Sequence, residues 1–252
     1  MTADAYLLKI LAREAVDTGP AAPVRGVQAR LMPALQEWAG QHLRFVRPSG
    51  SFAKGTANKS GTDIDLFISI SENVPQTMRD IYNSLADWMA QKGYKPRKQN
   101  VSINVSVNGY SVDLVPAKRQ DSYSEDHSLY RRKADTWTKT NVATHINHVI
   151  RSGRAQEIRV LKLWRHQKGL DFPSFYLELT TISALCGANS GLADRVWKAL
   201  RYIRDTFPNA RVMDPANTNN VISDDLTAAE KAKVVAAARQ ALAATDWNQI
   251  VR

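Results

Sequence analysis

Asp63 and Asp65 stand two residues apart at the head of an apolar, β-prone run, Ile64-Asp65-Leu66-Phe67-Ile68-Ser69-Ile70. In a strand, residues i and i+2 point to the same face. The two carboxylates would then share one face, with Ile64, Leu66, Ile68 and Ile70 on the other. Neighbouring like charges are poorly tolerated on a sheet unless something positive lies between them. A hard divalent cation such as Mg²⁺ suits such oxygen ligands, with Mn²⁺ as a substitute. A third acid, Asp113, lies in Tyr110–Val115, opposite in direction to Tyr110, Val112 and Leu114. Its strand can lie antiparallel beside the first. Three carboxylates on one patch can hold two metal ions about 3.5–4 Å apart, clamping the attacking and leaving oxygens of an in-line displacement. Upstream, Gly50-Ser51 opens the segment Gly50-Ser51-Phe52-Ala53-Lys54-Gly55-Thr56. Glycine lets a backbone approach a phosphate, and the Ser51 hydroxyl and nearby N–H groups can donate to it. The chemistry these residues suit is metal-dependent phosphoryl transfer. A lone Gly-Ser reads as a surface turn and a lone Asp-x-Asp as a capped loop, so the ordered set carries the inference.

The elements that must hold these residues follow from periodicity. Helices are predicted over Ala5–Val16, Val24–Leu43 (kinked at Pro33) and Pro75–Lys92. Strands are predicted over Asp63–Ile70, Val101–Val107 and Tyr110–Val115. Asn108-Gly109 between the last two is a hairpin turn signal, because a type I′ turn needs positive φ at both central residues. Residues from Ala117 to Asp135 read as polar and irregular, and the chain turns helical from about Trp137. Helices are expected at Thr140–Arg151, Arg154–Gln167, Ser174–Ala188 and Leu192–Phe207. A loop follows from Pro208 to Asp225. The last helix opens at Thr227 with a capping-box spacing to Glu230. The shift in character places a catalytic half with its N-terminal helices at residues 1–135 and a helical half at 136–252. The fold class is α+β.

The 252 residues carry a net charge of +10, which favours anionic partners such as nucleotides or RNA. One cysteine, Cys186, allows no internal disulfide and no multi-cysteine zinc site, and its apolar surroundings suggest the core. His145 and His148 lie i, i+3 on one helix, with no third soft ligand near in sequence. Met1–Thr18 has no long apolar stretch, so no signal peptide, no membrane contact and a cytoplasmic location are expected.

Gly50-Ser51, Asp63-Ile64-Asp65 and Val112-Asp113-Leu114 together resemble the signature of the DNA polymerase β-type nucleotidyltransferase superfamily. Ile158-Arg159-Val160-Leu161-Lys162-Leu163-Trp164 and Phe172-Pro173-Ser174-Phe175-Tyr176-Leu177-Glu178-Leu179 are similar to helices of 2′-5′ oligoadenylate synthases, class I CCA-adding enzymes and the bacterial cyclic GMP–AMP synthase-like enzymes. Val212-Met213-Asp214-Pro215-Ala216-Asn217, with Asn219-Asn220, looks like their late Asp-Pro motif. The likeness runs over roughly residues 30 to 225. It implies a two-lobed nucleotidyltransferase, with a mixed or antiparallel sheet palm flanked by helices and a C-terminal helical-bundle lobe.

By that resemblance Asp63, Asp65 and Asp113 bind two Mg²⁺ ions and Ser51 binds the triphosphate of a nucleoside triphosphate. Lys162 and Ser174 contact the same triphosphate, and Phe175 or Tyr176 stacks on a base. Read without the resemblance, Lys162 is a solvated helix base and Ser174 a helix N-cap. The implied activity is synthesis of a short cyclic or linear oligonucleotide, an antiviral-type bacterial signal. A terminal transferase acting on tRNA, other RNA or a protein is the second reading. A catalytically dead RNA-binding relative is the third, and the intact acid triad argues against it.

Overall fold

The structure, a computed structural model, describes residues 1–252 apart from Pro20 and Thr62. In chain order its elements begin with α1 (Ala3–Arg13), α2 (Pro23–Ala39), β1 (Leu43–Pro48), α3 (Gly50–Ala53), β2 (Ile64–Ile70) and α4 (Met78–Gln91). Five strands follow: β3 (Arg97–Lys98), β4 (Ile103–Val107), β5 (Tyr110–Arg119), β6 (His127–Arg131) and β7 (Thr136–Thr140). The remainder is α5 (Val142–Arg151), α6 (Ala155–Gln167), α7 (Ser174–Ala184), α8 (Leu192–Asp205), the strands β8 (Met213–Asp214) and β9 (Asn217–Val221), α9 (Ala228–Leu242) and α10 (Trp247–Ile250). No helix among the described residues is long and apolar enough to cross a membrane.

The contacts do not divide the chain at one point near residue 135. One compact unit is Asp17–Lys54 with Thr62–Ile146, and the other is Met1–Val16, Gly55–Gly61 and Asn147–Arg252. The N-terminal helix thus belongs with the C-terminal helices, not with the catalytic half.

The first unit is built on a mixed sheet ordered β1-β2-β5-β4-β3, with β6 on β5 and β7 on β6. The Asn108-Gly109 turn joins β4 to β5 with φ of +50° and +81°, as the dipeptide predicts. Ile64, Leu66, Ile68 and Ile70 are all buried and pack with Val112, Leu114, Val105 and the α4 face of Ile81, Tyr82 and Leu85. The other face of β2 is covered too: Phe67 meets the His127 ring edge-on at 4.9 Å, and Ser69 Oγ lies 2.8 Å from His127 Nε2. The helix α4 starts at a Thr77–Asp80 capping box rather than at Pro75. The helix α2 continues through Pro33 as one element.

Two strand regions depart from the sequence expectation. Residues 44–48, given no element by the sequence, form β1 with Leu43, the last residue of the expected second helix; β6 lies in the stretch read as irregular, and β7 where the chain was expected to turn helical. Thr136-Trp137-Thr138-Lys139-Thr140 is β-prone, and Asp135 takes a positive φ of 49° to turn the chain into it. The pairing of β6 with the long C-terminal part of β5 supplies a ladder that no local pattern announced.

In the second unit α6–α9 surround Trp164, Phe172, Tyr176 and Phe207, all essentially inaccessible. The apolar stripe of α1, Leu7, Ile10 and Leu11, closes this core. Asp4 Oδ1 accepts from the Ala193 N–H at 2.7 Å in the first turn of α8, where a carboxylate is favoured. Tyr6 donates to the Val251 carbonyl at 3.0 Å. The Thr227–Glu230 capping box forms with both of its bonds. The expected loop at 208–225 holds the small β8–β9 hairpin. Cys186 is exposed, contrary to the core position expected, because α7 ends at Ala184 and the chain turns outward.

Candidate functional site

The acids of the first unit are set by strand register. β2 and β5 run parallel, with Asp65 the direct partner of Asp113. The expectation of an antiparallel pair is thereby corrected. Beside Asp113 the antiparallel mate of β5 is β4, across its hairpin, whereas β2 reaches β5 only after the excursion through α4, β3 and β4. Such a long crossover is what a parallel pair requires. Asp63 lies one residue before β2 and is exposed.

Gly50 explains the strictness of its position. Its φ is +55°, and a β-carbon there would overlap the Asp65 carboxylate. The backbone of the Gly50 turn therefore packs directly on Asp65, a position closed to any side chain. The Ser49 N–H also donates to the Asp65 carbonyl at 2.8 Å. Ser51 sits in the one-turn helix α3, partly buried.

Asp113 is half-buried, and its Oδ1 accepts from Asn104 Nδ2 at 2.7 Å and Gln99 Nε2 at 3.2 Å. Burial raises its pKa above the usual carboxylate value, the Asn104 amide pulls it down, and the charge of Asp63 raises it again. Asp63 and Asp113 thus feel each other. Among the described residues, however, no group of three or more His, Cys, Asp or Glu is gathered closely enough to hold a metal ion. The donor set fits a hard cation in kind: all oxygen, two acids in register and a third in electrostatic reach. His145 and His148 form no such group either.

In the second unit, Lys162 is no solvated base. It is 8% exposed, and its Nζ donates to Glu178 Oε1 at 2.6 Å and Thr56 Oγ1 at 3.0 Å. Thr56 in turn donates to the same Glu178 oxygen at 2.8 Å. Ser174 is exposed and is the first residue of α7; the N-cap position belongs to Pro173. Its hydroxyl accepts from Arg165 Nη1 at 3.0 Å, and the same nitrogen donates to the Phe172 carbonyl. Phe175 is partly buried against the helical core. Tyr176 is wholly buried between Phe172 and Phe207, so it is a core ring and not a base platform.

Asn104, Gln99, Thr56 and Glu178 had no role assigned from sequence. One of them was within reach. A two-residue turn at Asn108-Gly109 fixes the ladder, and counting back from it pairs Asn104 with Asp113. Gln99, Thr56 and Glu178 carried no such signal.

Comparison with known proteins gives the class. Residues 36–139 match the nucleotidyltransferase domain family. The cyclic AMP-AMP-AMP synthase of Escherichia coli (strain MS 115-1) is 28% identical over 174 residues, 60% of this chain and 54% of that protein. The CCA-adding enzyme of Saccharolobus islandicus (strain M.14.25 / Kamchatka #1) is 31% identical over 127 residues, 48% of this chain and 28% of that protein. The chain therefore aligns with about half or less of the length of these curated relatives. CdnC of the same E. coli strain, solved with ATP, superposes with a TM-score of 0.79 at 21% identity, covering 98% of this chain and 96% of that one.

The chain carries a nucleotidyltransferase domain within an α+β architecture of mixed sheet and flanking helices. More particularly, its fold is that of the CdnC-like synthases, with a sequence kinship that also reaches the CCA-adding enzymes.

Proposed function

We propose that this protein joins nucleoside triphosphates with release of pyrophosphate, making a short cyclic or linear oligonucleotide that serves as an antiviral-type signal in the cytoplasm. The observation that carries the reading is the in-register pair Asp65 and Asp113, with the Gly50 backbone packed on the Asp65 carboxylate. Like charges directly opposite on a sheet are destabilising, and a divalent cation reverses that sign. Kinship to a cyclic AMP-AMP-AMP synthase over 60% of the chain supports the product class.

On this reading Asp63, Asp65 and Asp113 hold Mg²⁺, or Mn²⁺ in its place. Bound there, the ions lower the pKa of the attacking hydroxyl and neutralise charge on the leaving pyrophosphate. The chain's own share is placement. The Gly50 backbone allows close approach of a phosphate, and the Ser51 hydroxyl donates to it. The roles of Ser174, which holds Arg165, toward the triphosphate and of Phe175 toward a base rest on the family resemblance alone. Lys162 is held by Glu178 and Thr56 within its own unit, and its part in triphosphate binding rests on the family resemblance alone.

The kinship to CCA-adding enzymes favours a second reading, terminal transfer to an RNA end, and the net charge of +10 is compatible with it. Purified protein with Mg²⁺ or Mn²⁺ and each α-labelled nucleoside triphosphate separates the two. Phosphatase-resistant small products formed without RNA are expected. Incorporation that requires added RNA would transfer the assignment to the second reading, and no incorporation under any of these conditions would remove both.

A further inference from the structure

The register row continues past Asp113. Across β2, β5, β4 and β3 the register partners run Asp65, Asp113, Asn104, Arg97. Asn104 is buried, and its neighbours fix which end of its amide points where. Arg97 has donors only, and its Nη2 gives to Asn104 Oδ1 at 2.7 Å. The Asn104 NH₂ group is thereby turned toward β5, where it donates to Asp113 Oδ1 at 2.7 Å and to Ser111 Oγ at 2.8 Å. A second amide comes from the β3–β4 connection, with Gln99 Nε2 donating to the same Asp113 oxygen at 3.2 Å. Gln99 is itself anchored. Its Oε1 accepts from Ser102 Oγ at 3.0 Å, and its carbonyl accepts from the Tyr82 hydroxyl at 2.7 Å. The terminal torsion of an aspartate is otherwise broad. Here two anchored donors meet one oxygen and remove that freedom. The β4–β5 pairing does not need them, since its register runs unbroken from Ile103↔Leu114 to Val107↔Tyr110.

We propose that Asn104 and Gln99 are positioning residues for nucleotidyl transfer, with Arg97 setting the Asn104 amide. They fix the rotation of the Asp113 carboxylate so that it meets a divalent cation in one orientation. The inference rests on the reading of Asp113 as a metal ligand. Outer-shell groups of this kind typically change metal affinity by about 10–100-fold.

The test uses Mn²⁺ alone as probe, its binding followed by electron paramagnetic resonance, on wild type and the variants Asp113→Asn, Asn104→Ala and Gln99→Ala. Asn104→Ala should weaken Mn²⁺ binding about tenfold. Gln99→Ala, which removes the longer bond, should weaken it less but measurably. Turnover should fall in the same order and recover in part at high Mn²⁺, with KM for the nucleotide at saturating metal changed by no more than about twofold. A hydrogen bond serving only the fold would not produce that recovery. Mn²⁺ binding that Asp113→Asn abolishes, but that both amide variants leave at the wild-type affinity, overturns the proposal and spares the metal reading. Mn²⁺ binding that Asp113→Asn leaves unchanged overturns the metal reading itself. Should Asn104→Ala fail to fold, Gln99→Ala decides alone: its side chain is only partly buried, and wild-type affinity in that variant overturns the proposal.

Discussion

Both units take charge out of water, and they do so in opposite ways. In the helical unit Lys162 and Glu178 meet at 2.6 Å with side chains 8% and 1% exposed, and Thr56 bonds to both. In the sheet unit Asp65 and Asp113 stand opposite each other as like charges, and Asp113 receives two neutral amides. The first arrangement pairs an acid with a base and completes their hydrogen bonds, which is how a buried charge is tolerated. The second gathers negative charge on one row and raises the pKa of one of its members. Perturbed carboxylates of that kind concentrate where ligands bind. The difference separates a charge neutralised within the fold from like charges that, on the proposed reading, a cation balances.

The contrast breaks most sharply at the acids. Asp65→Asn and Asp113→Ala should each lower nucleotidyl transfer by at least about 10³-fold. Both should remain folded: each removes one of two like charges, and Asp113→Ala gives back about 1–3 kcal/mol because the Asn104 and Gln99 amides lose their acceptor. Full turnover in both variants would sink the metal assignment. Glu178→Ala should do the reverse kind of damage and destabilise the fold by about 3 kcal/mol, since it leaves Lys162 buried without its acid. Urea denaturation reads that loss, and a change near zero would show that the pair is not a structural one. Gly50→Ala bridges the two classes. A methyl at positive φ and against the Asp65 carboxylate should cost about 2 kcal/mol of stability and reduce turnover by about tenfold or more through displacement of the acid. An alanine variant with wild-type stability and rate would mean that the Gly50–Asp65 packing is not needed.

The smallest effect concerns pH. His127 is fully buried between Phe45 and Phe67, and burial holds its pKa below the usual 6.5. The Glu125 carbonyl and carboxylate oppose that shift, and Arg119 and Arg47 add to it. Above about pH 6.5 the ring is neutral in both folded and unfolded chains and contributes no pH dependence. Below it the unfolded chain takes up a proton that the folded one resists, so stability falls as the pH drops. Melting temperature between pH 7.5 and 5.5 should decline less in His127→Asn than in wild type. Equal slopes would show that His127 is protonated in place.

Much of the framework around the candidate site could be read from the chain because its signals are local. Alternation put Ile64, Leu66, Ile68 and Ile70 in the core, and Asn108-Gly109 announced a hairpin with positive φ at both central residues. That same turn made the Asn104–Asp113 register countable. Other features were silent. The strand β1 was missed beyond Leu43, where the expected helix ended, because six residues are too few for a clear period. The β6–β7 hairpin was hidden because its ladder depends on the far end of β5. The helix α1 was assigned to the wrong half, since an apolar stripe shows that a partner exists but not which one.

Residue type and spacing settled that a Gly-Ser segment, two acids and a third acid occur in order, and that Asp65 and Asp113 lie on strands, whereas Asp63, expected on the strand, falls one residue before it. Those facts depend on torsions and periodicities spanning a few residues. The fold settled that β2 and β5 are parallel, that Asp65, Asp113, Asn104 and Arg97 form one row, and that Lys162 is held by Glu178 and Thr56. Those facts depend on pairings between distant segments, chosen by the shared burial of whole faces, and no window along the chain contains both partners.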